Sequence, residues 1–365
     1  MDKNPLKVGV IGANVNYGWS RVAHLPAIVA LPELELAAVC TAHENTANES
    51  ASHFGASMAF HNHKEMLKQP DIDIVLVSVR VPLHHRLTID ALNANKHVYT
   101  EWPLAKNIEE AKEMADLADV KGVHTMVGLQ GRSAPSLLRF KELIEEGYVG
   151  EVLSCHMGIF SPMAFTRTSD KMWYRDKSQG ASTLTINFGH VIDGLCECLG
   201  EFIDVSAVMG TRVSKWLASD TGKMMNVTSP DNVLINGTLH NGTLVSTHVG
   251  SVPYHGRGQT IEVYGREGTL ILKAHADVGY GNAIILGGDK TTNRLEELPI
   301  PDRLKLAPKS IPEGPVFNVA QMWRRFAKSI NDDTDIEPNF NSAVIRHNLL
   351  DAIERSSETG KMQKV

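Results

Sequence analysis

Two stretches of the chain carry residue types and spacings suited to chemistry. The first covers residues 6–28, LKVGVIGANVNYGWSRVAHLPAI. Val8, Val10 and Ile11 form an apolar run of strand length, and Gly12 ends it. An Asn- and Gly-rich loop follows over residues 13–18, and then Val22, Leu25, Ala27 and Ile28 recur at helical spacing. Strand, glycine turn and helix open a dinucleotide-binding fold, in which backbone N–H groups at the helix start face a pyrophosphate. The pattern G-x-G-x-x-G would place glycines at 12, 14 and 17; Asn14 and Tyr17 stand at the last two, and Gly18 comes one residue late. Alone, such a loop serves equally as a ligand-free turn. Its candidate cofactor contacts are Gly12, Asn14, Asn16, Tyr17, Gly18 and Trp19. The second stretch is MWYRDKSQGASTLTINFGHVIDGL, residues 172–195. Leu184, Phe188, Val191, Ile192 and Leu195 make one apolar helical face, while His190 and Asp193, three apart, share another. A histidine titrating near neutrality suits acid–base work, although a lone helical histidine is otherwise a structural group. Tyr174, Lys177 and Asn187 are its polar neighbours. Trp173 and Trp102 offer aromatic walls for a flat ring or a sugar face, or pack as ordinary core.

The elements that must position these groups are legible as alternating strands and helices. Residues 34–40 read as a second strand. An acid just beyond it selects a free ribose 2′-hydroxyl, and a nearby Arg accommodates a 2′-phosphate. Thr41, Ala42 and His43 supply neither, which leaves NAD and NADP both open, with His43 either a solvated loop residue or a phosphate contact. A helix over 46–54 and a short strand over 58–60 come next. The continuous apolar run of 72–79 marks a central parallel strand buried on both faces. Pro82 starts a helix lined by Leu87, Ile89 and Leu92; 96–100 is a strand that Glu101-Trp102-Pro103 turns; 108–120 is a helix and 124–129 a strand. This alternation predicts a doubly wound parallel sheet of Rossmann type over residues 1–131, with ligands beyond the C-terminal strand ends. Thr41, Val79, Val81, Pro82, His85, Glu101, Trp102 and Gln130 are expected there.

From residue 132 the pattern changes. A helix over 136–146 precedes long strands over 151–160, 202–213, 233–239, 244–249, 260–264 and 269–272. Asn241-Gly242 suits a type I′ hairpin, and 265–268 a second tight turn. These features predict a C-terminal α+β domain, 132–365, with a large, mostly antiparallel open sheet. Residues 299–315 read as an irregular surface excursion before two helices over 316–330 and 342–359.

The chain has 365 residues, 42% hydrophobic, with a net charge of −6 and its acids and bases mixed. No basic block suits nucleic acid, and no apolar run suits a membrane span. The start, MDKNPLK, lacks a signal-peptide core, so a cytoplasmic protein with Cys40, Cys155, Cys196 and Cys198 as reduced, half-buried thiols and no metal site is expected.

Several blocks resemble the glucose–fructose oxidoreductase/inositol dehydrogenase (Gfo/Idh/MocA) family: HLPAI, VSVRVPLHH, KHVYTEWPLAKN, VGLQGRSAPSLLRFKELIEEGYVGEV and SAVIRHNLLDAIERSSETGK. The loop with Gly18-Trp19 and the Glu-Trp-Pro turn are most similar to the branch that includes the fungal galactose-pathway repressor. The resemblance implies bound NAD or NADP and a homodimer or homotetramer formed through the C-terminal sheet. It also implies that proton handling falls to the Lys of a Glu-Lys-Pro turn and to an Asp four residues before a His. His190 matches that His, but Trp102 stands at the Lys position and Ile186 at the Asp position. An indole donates a hydrogen bond but accepts no proton. The leading expectation is an NAD(P)-dependent oxidoreductase acting on a small hydroxyl- or carbonyl-bearing, sugar-like substrate. His190 is its acid/base, Trp102, Tyr174 and Lys177 join it in the catalytic set, and Arg132, Trp173, Asn187 and Asp193 line the substrate. One alternative uses the nucleotide in an internal redox cycle for elimination or hydrolysis. Another, motivated by the two departures, is a ligand-sensing regulator that binds nucleotide without turnover. A third, suggested by the aromatic at 102, is a planar substrate.

Overall fold

Ile74–Val77 is buried at every position, which is why its run is apolar without alternation. It is β4 of a parallel sheet. The computed structural model describes residues 4–162, 165–252, 254–281 and 283–365. Within them the chain divides into two units. One runs to Ser133 and takes in Lys305–Ile345; the other comprises Ala134–Leu304 and Arg346–Val365.

The first unit contains β1 (Leu6–Ile11), α1 (Leu25–Ala30), β2 (Leu34–Cys40), α2 (Glu44–Phe54), β3 (Met58–Phe60), α3 (His63–Leu67), β4, α4 (His84–Asn93), β5 (His97–Glu101), α5 (Ile108–Lys121) and β6 (Thr125–Gly128). Among the described residues its sheet has the order β3-β2-β1-β4-β5-β6, every pair parallel. This is the order of a two-halved Rossmann sheet, whose switch point lies between β1 and β4. The segment Lys305–Ile345, which the sequence pattern assigns to the C-terminal domain, belongs to this unit. Phe317, Met322, Trp323 and Phe326 join Leu25, Ile28, Leu76 and Tyr99 in one buried cluster. Full burial of such side chains contributes roughly 1.5–3 kcal/mol each. Ala307 and Ile311 are buried too, so 299–315 is not purely a surface excursion.

The second unit holds α6 (Pro135–Glu145), β7 (Val152–Pro162), β8 (Thr166–Arg167), α7 (Gly189–Leu199), β9 (Phe202–Gly210), β10 (Lys215–Ala218), β11 (Lys223–Asn226), β12 (Asn232–Leu239), β13 (Leu244–Val252), β14 (Gly258–Gly265), β15 (Gly268–Ala274), β16 (Ala283–Asp289) and β17 (Glu296–Leu298). Two helices lie late in the chain, α8 (Pro315–Asp332) in the first unit and α9 (Phe340–Thr359), whose residues from Arg346 belong to the second; β18 (Gln363–Lys364) ends the chain. The main sheet has the order β17-β16-β15-β14-β7-β13-β12-β9-β18, antiparallel except for β7 with β13. The β12–β13 turn differs from the expected type I′. Gly242 has φ +86°, but Asn241 is not in the left-handed region. The Gly242 N–H donates to the Leu239 carbonyl, a type I turn followed by a left-handed glycine.

All four cysteines are buried rather than half-buried, and burial pushes the Cys40 thiol up to about 11. Among the described residues no group of His, Cys, Asp and Glu could hold a metal, and no helix is long and apolar enough to cross a membrane.

Burial also holds two histidines neutral. His97 in the first unit and His347 in the second are each lowered to about 4, His97 with help from neighbouring His124. Between about pH 4 and the unfolded value near 6.5, the unfolded chain binds protons that the folded one does not. Stability is therefore complete above that unfolded value and falls as pH drops toward 4. Urea unfolding is expected to show each unit losing on the order of 2 kcal/mol between pH 7 and pH 4.5, with His347→Gln flattening the loss in the second unit.

Candidate functional site

The candidate nucleotide contacts of the first unit gather at the C-terminal ends of its parallel strands. β1 runs into Gly12, whose φ of +99° only glycine adopts without strain. A Cβ there would collide with the Ser78 carbonyl oxygen, so the glycine lets the β1 end lie against the end of β4. The loop then tightens on itself. Asn14 donates its backbone N–H to the Gly12 carbonyl, and its side-chain oxygen accepts from the Asn16 N–H at 2.8 Å. Tyr17 is exposed. Gly18, at φ +102°, has nothing within 4 Å of where a Cβ would sit. Trp19 begins a π-helical turn, Ser20–His24, which leads into α1.

At the β2 end, the Thr41 hydroxyl lies 2.6 Å from the Thr46 hydroxyl and 2.9 Å from the His43 carbonyl, and His43 is exposed. Beyond β4, Val79 is half-buried, Val81 is buried, and Pro82 sits in a short 3-10 turn before α4. His85 pairs with Glu113 of α5 at 2.9 Å. Buried His84 lies 2.8 Å from the Pro103 carbonyl through Nδ1 and bridges α4 to the Glu101-Trp102-Pro103 turn. Trp102 is buried, joined to Pro103 by a cis bond. Beyond β6, Gln130 is buried and its amide oxygen has no partner among the described residues. Arg132 is buried and ion-paired with Glu337 at 3.1 Å.

These residues fit a dinucleotide. The space over Gly18 is open, and Gln130 keeps an unused buried acceptor at the strand ends.

In the second unit, the helix expected over Leu184–Leu195 opens as a π-helical turn, Thr183–Phe188, with Ser182 and Thr185 forming a reciprocal capping box. α7 then carries His190 at its second position, half-exposed, while Leu184, Phe188, Val191, Ile192 and Leu195 are buried as their spacing requires. Asn187 and Ile186 are half-buried on the π turn. Asp193 is buried and ion-paired with Arg346 of α9 at 3.3 Å. Lys177 is exposed and pairs with Glu354 and Glu358 of α9 at 3.5 and 3.7 Å. Tyr174 is half-buried; burial pushes its hydroxyl up to about 12, against the pull of Arg167, whose guanidinium lies 5.2 Å from the ring centre. Trp173 packs its ring 4.6 Å from that of Tyr174.

One residue was invisible to spacing. Asp277 caps the 3-10 turn Val278–Tyr280 through the Gly279 N–H. Its carboxyl is raised by burial and pulled back down by His190, with Asp193 adding a smaller upward push, so all three lie within electrostatic reach. On the same turn, Tyr280 lies within electrostatic reach of Tyr174. Lys177 points to the α9 surface, and Asp193 is held by Arg346.

Comparison with known proteins agrees with this fold. Residues 6–129 match the oxidoreductase family with an NAD-binding Rossmann fold, and residues 135–274 match the Gal80p C-terminal domain. The dehydrogenase aclE of Aspergillus oryzae is 28% identical over 83% of this chain and 81% of its own. The galactose/lactose metabolism regulatory protein GAL80 of Saccharomyces cerevisiae is 29% identical over 74% of this chain and 67% of its own. The levoglucosan dehydrogenase of Pseudarthrobacter phenanthrenivorans is 29% identical over 73% of each chain. A levoglucosan dehydrogenase structure with NADH and levoglucosan superposes with a TM-score of 0.87 at 25% identity, covering 99% of both chains. A super-repressor mutant of Gal80p from Saccharomyces cerevisiae, at 22% identity and a TM-score of 0.87 over 99% of this chain and 98% of its own, shares the fold. The chain thus joins an NAD-binding Rossmann domain of the Gfo/Idh/MocA oxidoreductase type, residues 6–129, to a domain of the Gal80p C-terminal type, residues 135–274.

Proposed function

We propose that this protein is an NAD(P)-dependent oxidoreductase of a sugar-like polyol or anhydrosugar, with His190 as its acid/base. The observation that carries the reading is His190, partly exposed at the second position of α7 while Phe188, Val191 and Ile192 around it are buried. The family's carboxylate position holds Ile186, and Asp277 brings a carboxyl group, its ionisation opposed by burial, from a different segment. When bound, the nicotinamide accepts or returns a hydride. The chain's part is proton handling: His190 Nδ1 or Nε2 takes the substrate hydroxyl proton. Trp173 serves as an apolar wall for a sugar face, and Trp102 as one for the nicotinamide ring. The likeness to levoglucosan dehydrogenase and to the Bacillus subtilis scyllo-inositol 2-dehydrogenase supports the substrate class.

His190→Ala is expected to lower kcat by about 10²–10⁴-fold with nucleotide affinity unchanged. Steady-state kinetics beside nucleotide titration checks this; retained turnover would remove His190 from the mechanism.

A second reading, a regulator that binds nucleotide without turnover, is favoured by Trp102, an indole where the family places a proton-carrying lysine, and by the GAL80 relatives. Saturable nucleotide binding without reduction by any polyol would support it.

We also infer a homodimer or homotetramer formed through the open face of the nine-stranded sheet. Register places Val208, Leu234, His248, Gly158, Thr260, Lys273 and Ile284 in one row across that face. Val208, Leu234 and Ile284 in this row are exposed, which an uncovered face would not favour.

A further inference from the structure

Residues 24, 101 and 323, far apart in sequence, form one hydrogen-bonded chain in the first unit. The Trp323 indole N–H donates to His24 Nδ1 at 3.0 Å, and His24 Nε2 lies 2.7 Å from Glu101 Oε1. His24 and Trp323 are both 0% exposed. Tyr99 packs its ring 5.1 Å from the imidazole and 4.8 Å from the indole, closing the cage.

Elementary chemistry fixes the protons. An indole nitrogen only donates, so Nδ1 accepts. A neutral imidazole carries one ring proton, which then sits on Nε2 and goes to Glu101. Oε1 must accept it, so Glu101 turns an acceptor oxygen toward His24 and its carboxyl is fixed in place. Gly128 on neighbouring β6 makes room: a Cβ there would collide with the carboxylate, so residue 128 must be glycine for Glu101 to lie flat across the strand ends. The Glu101 side chain keeps 12% exposure. The result is a fixed negative charge with an open edge where ligands of an open α/β sheet bind.

We propose that Trp323 and His24 are positioning residues that lock Glu101 as a fixed anion, and that this anion makes the nucleotide site favour the oxidised, cationic nicotinamide over the reduced one. The inference rests on the cofactor reading above. It assigns a cofactor role to α8, a helix from the far end of the chain, through Trp323. A charge of one sign at a water-poor edge discriminates between ligands differing by one unit of charge, whereas a neutral amide does not.

The test is equilibrium titration of the full chain with NAD⁺ and with NADH. Glu101→Gln keeps size and removes charge. It is expected to weaken NAD⁺ binding about tenfold while changing NADH binding by less than about threefold. Trp323→Phe keeps the aromatic packing and removes the donor. Nitrogen-15 NMR of the imidazoles is expected to show His24 as the Nε2–H tautomer in the parent and as a mixture in Trp323→Phe, with the nucleotide preference falling in step. Equal loss for both nucleotides, or an unchanged ratio, overturns the inference while leaving cofactor binding intact. A parent chain that binds neither nucleotide overturns the cofactor reading and this inference with it. An unchanged His24 tautomer in Trp323→Phe removes Trp323 from the device.

Discussion

Arg346→Ala is expected to destabilise the second unit by about 3–5 kcal/mol, because it removes a buried positive charge that faces two carboxylates. The Arg346 guanidinium is fully buried. It reaches Glu201 at 2.8 and 3.1 Å, Asp193 at 3.3 Å and the Cys196 sulfur at 3.1 Å. Asp193 has almost no exposure of its own. With the guanidinium gone, the cluster loses the positive charge that faces both carboxylates, and water reaches Asp193 poorly. The double variant Arg346→Met with Asp193→Asn removes both charges and is expected to cost clearly less than Arg346→Ala alone, a non-additivity that marks direct coupling. Urea unfolding of the three proteins checks it. The effect reaches function, since Asp193 lies one turn from His190 on α7 and anchors that helix to α9.

The second large effect is at the glycine loop. Gly12→Ala forces an L-residue into φ +99° and drives a Cβ into a backbone carbonyl that cannot swing aside. Left-handed backbone alone costs an L-residue roughly 1–2 kcal/mol, and overpacking adds typically 1–3 kcal/mol. The end of β1 must shift, and the loop built on it shifts too. Nucleotide affinity is expected to fall at least about tenfold, with a loss of stability beside it. Gly18→Ala separates the two causes. Its φ is also positive, but the space beside it is open. It is expected to cost about 1 kcal/mol in folding and to weaken binding further only if a nucleotide fills that space. Calorimetric titration beside urea unfolding of both variants reads the difference.

Local patterns carried most of the fold. The unbroken apolar run at β4, the strand at β2 and the glycine-terminated helix α5 follow directly from periodicity and end signals. What periodicity could not carry was partnership at a distance. Lys305–Ile345 reads as part of the C-terminal domain, and only its packing with Leu25 and Tyr99 places it with the first unit. The hairpin dipeptide Asn241-Gly242 suited type I′, yet one positive φ sufficed for its register. Among the candidate residues, His190 and the Glu101 turn were singled out because their types suit chemistry. Asp277 was not, because nothing in its spacing ties residue 277 to residue 190. Asp193 was singled out for its spacing from His190, and its buried partner Arg346 lies too far along the chain for spacing to disclose.

The measurement that bears most directly on the oxidoreductase reading is the reduced-nicotinamide absorbance of the full chain, supplied with NAD⁺ or NADP⁺ and a panel of polyols, inositols and anhydrosugars. The account predicts reduction with at least one panel member and its collapse in His190→Ala. Nucleotide bound to saturation, with no reduction by any member of the panel, would contradict it.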